Sequence, residues 1–125
     1  MGRCPCEMFA HFYYSPSITY EELHQKEAEL LQGLDLLLAG EGAIHLEFVP
    51  GSDNLAVQGE FEEFSQELFN RLAERVRGLL PAQTESRLVF VEKENLEKIL
   101  IYNVSPKQVE CGETIIKRPF AGKEQ

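Results

Sequence analysis

The chain has 125 residues, of which 43% are hydrophobic and 26% are charged, a composition typical of one soluble globular domain. Its formal net charge of −9 disfavours nucleic acid binding, because an acidic surface repels a phosphate backbone. No apolar run approaches the roughly 18 residues that a membrane-spanning helix requires, and residues 1–7 lack the apolar stretch of a signal peptide. We therefore expect a single cytosolic domain over residues 1–125, with flexible termini at residues 1–6 and 119–125.

The first predicted elements are a strand and a helix. Residues 7–14 are rich in aromatic side chains, which favours a buried strand. Thr19 and Glu22 have the spacing of a capping box, in which each side chain accepts a hydrogen bond from the other residue's backbone. Leucines at helical spacing extend this helix to about Ala39, and Gly40 favours its end.

A hairpin and a second helix come next. Residues 43–49 and 54–60 alternate between apolar and polar side chains, and residues 50–53 between them have the composition of a turn. Apolar residues at helical spacing then predict an amphipathic helix over about residues 61–80, which Pro81 ends.

Three further strands are predicted over residues 87–93, 96–104 and 113–118. The first contains a continuous apolar run from Leu88 to Val91, which is typical of a central strand. The order β-α-β-β-α-β resembles the ferredoxin-like arrangement, here with two additional C-terminal antiparallel strands. We expect an α+β two-layer sandwich in which both helices cover one face of an antiparallel sheet of five or six strands.

The uncovered face of this sheet is the first candidate site. Because strand residues alternate between faces, we expect Ile44, Leu46 and Phe48 to point toward the helices. The same alternation places six aromatic and polar side chains on the open face: Phe9, His11, Tyr13, His45, Glu47 and Gln58. Leu100 and Tyr102 add apolar character that no third layer covers. Such a mixture favours an interface or a pocket over a solvated surface.

Two interpretations of the open face compete. In the first, His11, His45 and Glu47 form a metal or small-ligand site, since imidazole and carboxylate groups are common ligands of zinc and iron. Against this, the third strand is expected to separate the first from the second. His11 and His45 would then lie about 10 Å apart, too far to share one ion. In the second interpretation, dimerisation or the C-terminal strands bury this face.

The cysteines form the second candidate site. Cys4 and Cys6 make a Cys-x-Cys pair, and Cys111 is distant in sequence. Such a pair can chelate a soft metal, and Cys111 or a histidine could complete the set of ligands. A full zinc signature would contain a second closely spaced pair, which the sequence lacks. Reduced thiols without a shared role are the alternative.

No catalytic motif assigns an activity. The sequence contains no GxSxG, phosphate-loop, GxGxxG or HExxH pattern, so enzyme activity and any cofactor stay open. We expect a small binding or protein-interaction module, homo-oligomeric through its open sheet face or its C-terminal strands. A protein partner is a further possibility, since residues 1–84 hold 14 acidic and 5 basic side chains that could dock a basic surface.

Overall fold

The computed structural model describes residues 6–93 and 98–115, which form two α-helices and a six-stranded antiparallel sheet. This confirms the α+β class expected from the sequence. The elements are β1 (Cys6–Tyr13), α1 (Tyr20–Gly40), β2 (Ile44–Pro50), β3 (Asn54–Phe61), α2 (Gln66–Leu79), β4 (Glu85–Glu92), β5 (Lys98–Val104) and β6 (Val109–Ile115). The strand order is β2-β3-β1-β4-β5-β6, so β3 separates β1 from β2. Within the described ranges, neither helix has the length and apolarity needed to cross a membrane.

One hydrophobic core joins both helices to a single face of the sheet. At its centre the ring of Phe69 on α2 stacks on the ring of Phe90 on β4, with centroids 3.9 Å apart and planes inclined by 7°. Phe61 meets Phe69 edge to face, and Tyr102 meets Phe90 in the same way. The hydroxyl of Tyr102 donates a 2.6 Å hydrogen bond to Oδ1 of Asn70, so this buried phenol has its polar group satisfied.

The start of α1 follows the sequence prediction. The backbone N–H of Glu22 donates to Oγ1 of Thr19 at 3.2 Å, and the backbone N–H of Thr19 donates to Oε1 of Glu22 at 3.3 Å. The capping box is therefore confirmed. Leu30, Leu34 and Leu38, on one stripe of the helix, are buried in the core.

The two helices touch at a glycine and at a charged cluster. A Cβ atom on Gly33 would lie 3.0 Å from Cδ2 of Leu79, so the absence of a side chain at Gly33 permits this close approach. At the end of α1, Glu41 accepts hydrogen bonds from Arg71 and lies 3.5 Å from a guanidinium nitrogen of Arg75. Chiefly because Arg71 donates to it, the pKa of Glu41 is held below its ordinary value. These contacts connect α1 to α2 on the helical side of the domain.

The second helix begins five residues later than the sequence predicts. Phe61 does not open α2, because it extends β3, pairs with Cys6 of β1 and is buried in the core. The helix instead starts after Ser65, whose Oγ accepts a 3.2 Å hydrogen bond from the backbone of Leu68. Phe61 is a strand residue that also lies at helical spacing from Phe64 and Leu68, and this coincidence explains why the helix was predicted to begin too early.

Ile44 was predicted to face the helices, and that prediction is wrong. The pairing of β2 with β3 shifts between Ile44 and Glu47, which is the signature of a β-bulge. His45 within the bulge has a φ of +55°, a left-handed conformation that is rare for a residue with a side chain. The strict alternation on which the prediction rests fails there, and Ile44 is 36% exposed. Beyond the bulge, Leu46 and Phe48 pack against the core as predicted.

The C-terminal strands also depart from the predictions. Leu100 and Tyr102, expected on the open face, are buried under the helices, and β6 begins at Val109 rather than at residue 113. β5 pairs with β4 so that Leu100 lies beside Phe90 and Tyr102 beside Leu88, both of which point to the core. Residues 96–97 and 116–118 of the predicted strands lie outside the described residues.

We predict that Phe69→Ala lowers the free energy of unfolding by about 3–5 kcal/mol, because it removes the ring that stacks on Phe90 and leaves a cavity. Urea titration followed by circular dichroism measures this change. Leu36→Ala is the matched control, since Leu36 is 70% exposed and its truncation should cost less than about 0.5 kcal/mol. Equal losses for the two variants would contradict the assignment of the core.

Candidate functional site: the open sheet face

The candidate site is the open face of the sheet, which we define as the face opposite the two helices. All six side chains that the sequence predicted for this face lie on it. Glu47, Gln58 and Phe9 are aligned across β2, β3 and β1. His45 borders Phe9 and Gln58 in a small pocket of about 70 Å³. The remaining two, His11 and Tyr13, alternate with buried residues of β1 and are exposed.

The middle of the open face is apolar. Five side chains from three adjacent strands form a continuous surface, which we call the central apolar patch: Phe9, Val89, Val91, Ile99 and Ile101. Phe9, Val89 and Ile101 are aligned in one row across β1, β4 and β5. Each is half-buried by its neighbours on the sheet. Both helices lie on the opposite face, and no other described element packs over the patch.

Charged groups border the central apolar patch on one side and are mostly paired within the chain. His45 Nδ1 lies 2.8 Å from Oε1 of Glu60, and Nζ of Lys93 donates a 3.2 Å hydrogen bond to Oε2 of Glu7. These exposed pairs contribute little to stability. Because of these two pairs, few charged side chains without a partner lie beside the central apolar patch on this side.

The structure does not bring the proposed metal ligands His11, His45 and Glu47 together. β3 separates the strands that carry the two histidines. His11 is aligned with Ala56 whereas His45 contacts Glu60, so the histidines are also offset along the strands. At about 4.8 Å per strand and about 3.4 Å per residue, they lie at least about 15 Å apart. The ring of His11 instead stacks on Tyr13, with centroids 6.0 Å apart.

The cysteine candidates are also separated where the structure describes them. Cys6 lies in β1 and is fully buried, whereas Cys111 lies in β6 and is exposed. Two strands, β4 and β5, lie between them, which places the thiols more than about 14 Å apart. Cys4 lies outside the described residues. Within the described part of the chain, no group of three or more histidine, cysteine and acidic side chains could hold a metal ion.

Burial changes the chemistry of Cys6. Removal of the thiol from water, with smaller contributions from the negative charges of Glu92 and Glu7, raises the pKa of Cys6 from 9.0 to about 12. A thiol with such a pKa is protonated at neutral pH and is a poor nucleophile. Cys6 is therefore a core residue and not a reactive centre.

Sequence reasoning missed four of the five residues of the central apolar patch. The run from Leu88 to Val91 identified a central strand, but a continuous run does not show which residues face the open side. The signal for Ile99 and Ile101 was present in the sequence and was assigned to the wrong face. A shift of one residue in register exchanges the two faces of a strand, and no local pattern determines the register of β5.

No family model, no curated protein and no solved structure matches the chain.

We predict that Cys6 and Cys111 react with a thiol reagent at very different rates. In a Cys4→Ser background at pH 8, Ellman's reagent should modify Cys111 rapidly and Cys6 only as the protein unfolds, because Cys6 is buried and protonated. Absorbance of the released product counts the modified thiols, and the same assay in denaturant serves as control. Two thiols that react at one rate in the native protein would contradict this.

The raised pKa of Cys6 also has a consequence for stability. Above pH 9.0 the thiol ionises in the unfolded chain but stays protonated in the folded protein until about pH 12. Its contribution to folding is therefore complete below pH 9.0 and is lost as the pH rises toward 12. Between pH 9.0 and about pH 12, the free energy of unfolding of Cys6→Ala should therefore fall less than that of the wild type. Urea titration of both proteins at several pH values measures this difference.

We predict that His45→Gly is more stable than His45→Ala by about 1 kcal/mol, because the left-handed backbone at this position penalises any Cβ atom. Both variants lose the contact with Glu60, so their difference isolates the backbone conformation. Thermal unfolding of the two proteins side by side measures it. If the alanine variant is equally stable, the backbone at the bulge does not have the conformation described here.

Proposed function

We propose that this protein is a protein-interaction module that forms a homodimer through its open sheet face. The observation that carries the proposal is the central apolar patch, which lies on a sheet face that no described element covers. Exposed apolar surface of this kind on a small domain marks an interaction site. A two-sheet sandwich is the usual way in which two such faces are buried.

The size of the open face suits this assembly. Six strands at about 4.8 Å spacing and about seven residues of about 3.4 Å each give a face of about 29 Å by about 24 Å, or on the order of 700 Å². Stable interfaces of standard size bury about 600–1,000 Å² per partner, a range that includes this area. The open face is therefore large enough for a stable dimer without help from other surfaces.

The charges next to the central apolar patch permit a second copy as the occupant. The interface would have an apolar centre and a polar rim, which is the usual anatomy of protein interfaces. Two acidic side chains at the rim, Glu7 and Glu60, already contact Lys93 and His45 of the same chain. Two copies can therefore approach without bringing these acidic groups together unpaired.

We further propose that the first six elements are of ferredoxin-like type, with β5 and β6 extending the sheet at one edge. The position of β1 between β3 and β4, with both helices on one face, supports this. We also propose a cytosolic location. Cys6 and Cys111 are both free thiols, which is usual for proteins of a reducing compartment and supports this proposal.

We predict that the wild-type protein is a dimer at micromolar concentration and that Ile101→Glu raises the dimer dissociation constant at least about 100-fold, because the new carboxylate would be buried without a partner. Light scattering coupled to size-exclusion chromatography, together with native mass spectrometry, measures the mass. Leu36→Glu is the matched control: it adds the same charge at an exposed site on α1 and should leave the dimer intact.

A strictly monomeric wild-type protein would overturn the proposed dimer. A dimer that survives Ile101→Glu would indicate assembly along the edge of β6 instead, since edge pairing uses backbone groups and leaves the open face exposed. Circular dichroism of each variant shows whether the fold is retained, and Ile101 is suitable because it is only half-buried within one copy.

A further inference from the structure

A second feature of the open face lies beyond the central apolar patch, where β4, β5 and the hairpin between β5 and β6 form a pocket of about 250 Å³. This volume is smaller than that of most pockets for drug-sized molecules, so it suits a ligand of a few heavy atoms. Four polar residues dominate the lining: Arg87, Asn103, Glu85 and Glu110. The pocket contains none of the metal-site residues proposed from the sequence.

Arg87 is the basic group of this pocket, and a neighbour holds it in place. Its Nε donates a 3.0 Å hydrogen bond to Oδ1 of Asn103 on the adjacent strand. The terminal guanidinium nitrogens form no hydrogen bond or ion pair within residues 6–93 and 98–115. A guanidinium with a fixed orientation and free N–H groups is well suited to bind a carboxylate through two parallel hydrogen bonds.

The acidic groups of the pocket do not neutralise Arg87. Neither Glu85 nor Glu110 forms an ion pair with it, although both line the same pocket. Glu110 is held by a 3.0 Å hydrogen bond from the side-chain amide of Gln108. Positive and negative groups are thus held apart around one small cavity, which is the arrangement that a ligand with both charges would satisfy.

We propose that this pocket binds a small zwitterion that carries a carboxylate and an ammonium group, as an amino acid does. Arg87 and the amide of Asn103 bind the carboxylate, and Glu85 and Glu110 bind the ammonium group. The ligand is argued from this pocket alone. A second copy on the open face would cover the pocket, so dimerisation and ligand binding should compete.

The test is a titration of the ¹⁵N-labelled Ile101→Glu protein, which is expected to be monomeric and leaves every pocket residue unchanged, with three probes followed by two-dimensional NMR. β-Alanine carries both charges, whereas propionate and propylammonium each carry one. β-Alanine should shift the signals of Arg87, Asn103 and Gln108 to saturation in the millimolar range. Propionate and propylammonium should each bind at least about tenfold more weakly, because each leaves one charged side of the pocket without a partner.

Variants identify the residue responsible. Arg87→Met should weaken β-alanine binding about tenfold or more, and Arg87→Lys should restore only part of it, because lysine keeps the charge but lacks the planar fork. Arg75→Met is the matched control: it removes the same charge from an exposed site on α2 and should leave binding unchanged. Light scattering on each variant reports the oligomeric state separately, so failure of the dimer and failure of the pocket are distinguishable.

Three results would overturn the proposal. They are the absence of saturable shifts with β-alanine, equal binding by Arg87→Met and the wild type, and propionate binding as tight as that of β-alanine. The last result would show that Glu85 and Glu110 do not recognise an ammonium group.

Discussion

The burial of four aromatic rings between α2 and the sheet determines where the other side chains of the central strands point. Phe69 stacks on Phe90, and Phe61 and Tyr102 meet this pair edge to face. Because side chains alternate along a strand, fixing Phe90 and Tyr102 in the core directs their neighbours to the opposite face. The central apolar patch is therefore a geometric consequence of the aromatic core, and its residues cannot be moved inward without breaking that core.

The two faces of the domain carry different kinds of side chains. On the helical face, the cluster of Glu41, Arg71 and Arg75 joins α1 to α2. The sheet face has an apolar centre with paired charges on one side and the Arg87 pocket on the other. Burial keeps the thiol of Cys6 protonated at neutral pH and so makes it a poor nucleophile.

The sequence predicted most elements because their signals are local. The capping box at Thr19 and the alternation of residues 54–60 depend on neighbouring residues, and both are confirmed. The errors came from features that depend on distant pairing. The bulge at His45, the register of β5 and the extension of β3 to Phe61 are each decided by the partner strand. The candidate face was therefore predicted for β1 and β3, but its apolar centre on β4 and β5 was not.

The bulge in β2 has a consequence for how the sheet meets other molecules. β2 is an outer strand, and an outer strand with regular unpaired backbone groups is a template for aggregation. The left-handed residue His45 interrupts that regularity near one end, and Pro50 lacks an N–H group at the other. A foreign strand would therefore find few consecutive hydrogen-bonding groups along β2. This edge is protected against open-ended polymerisation, which confines any growth of the sheet to the side of β6.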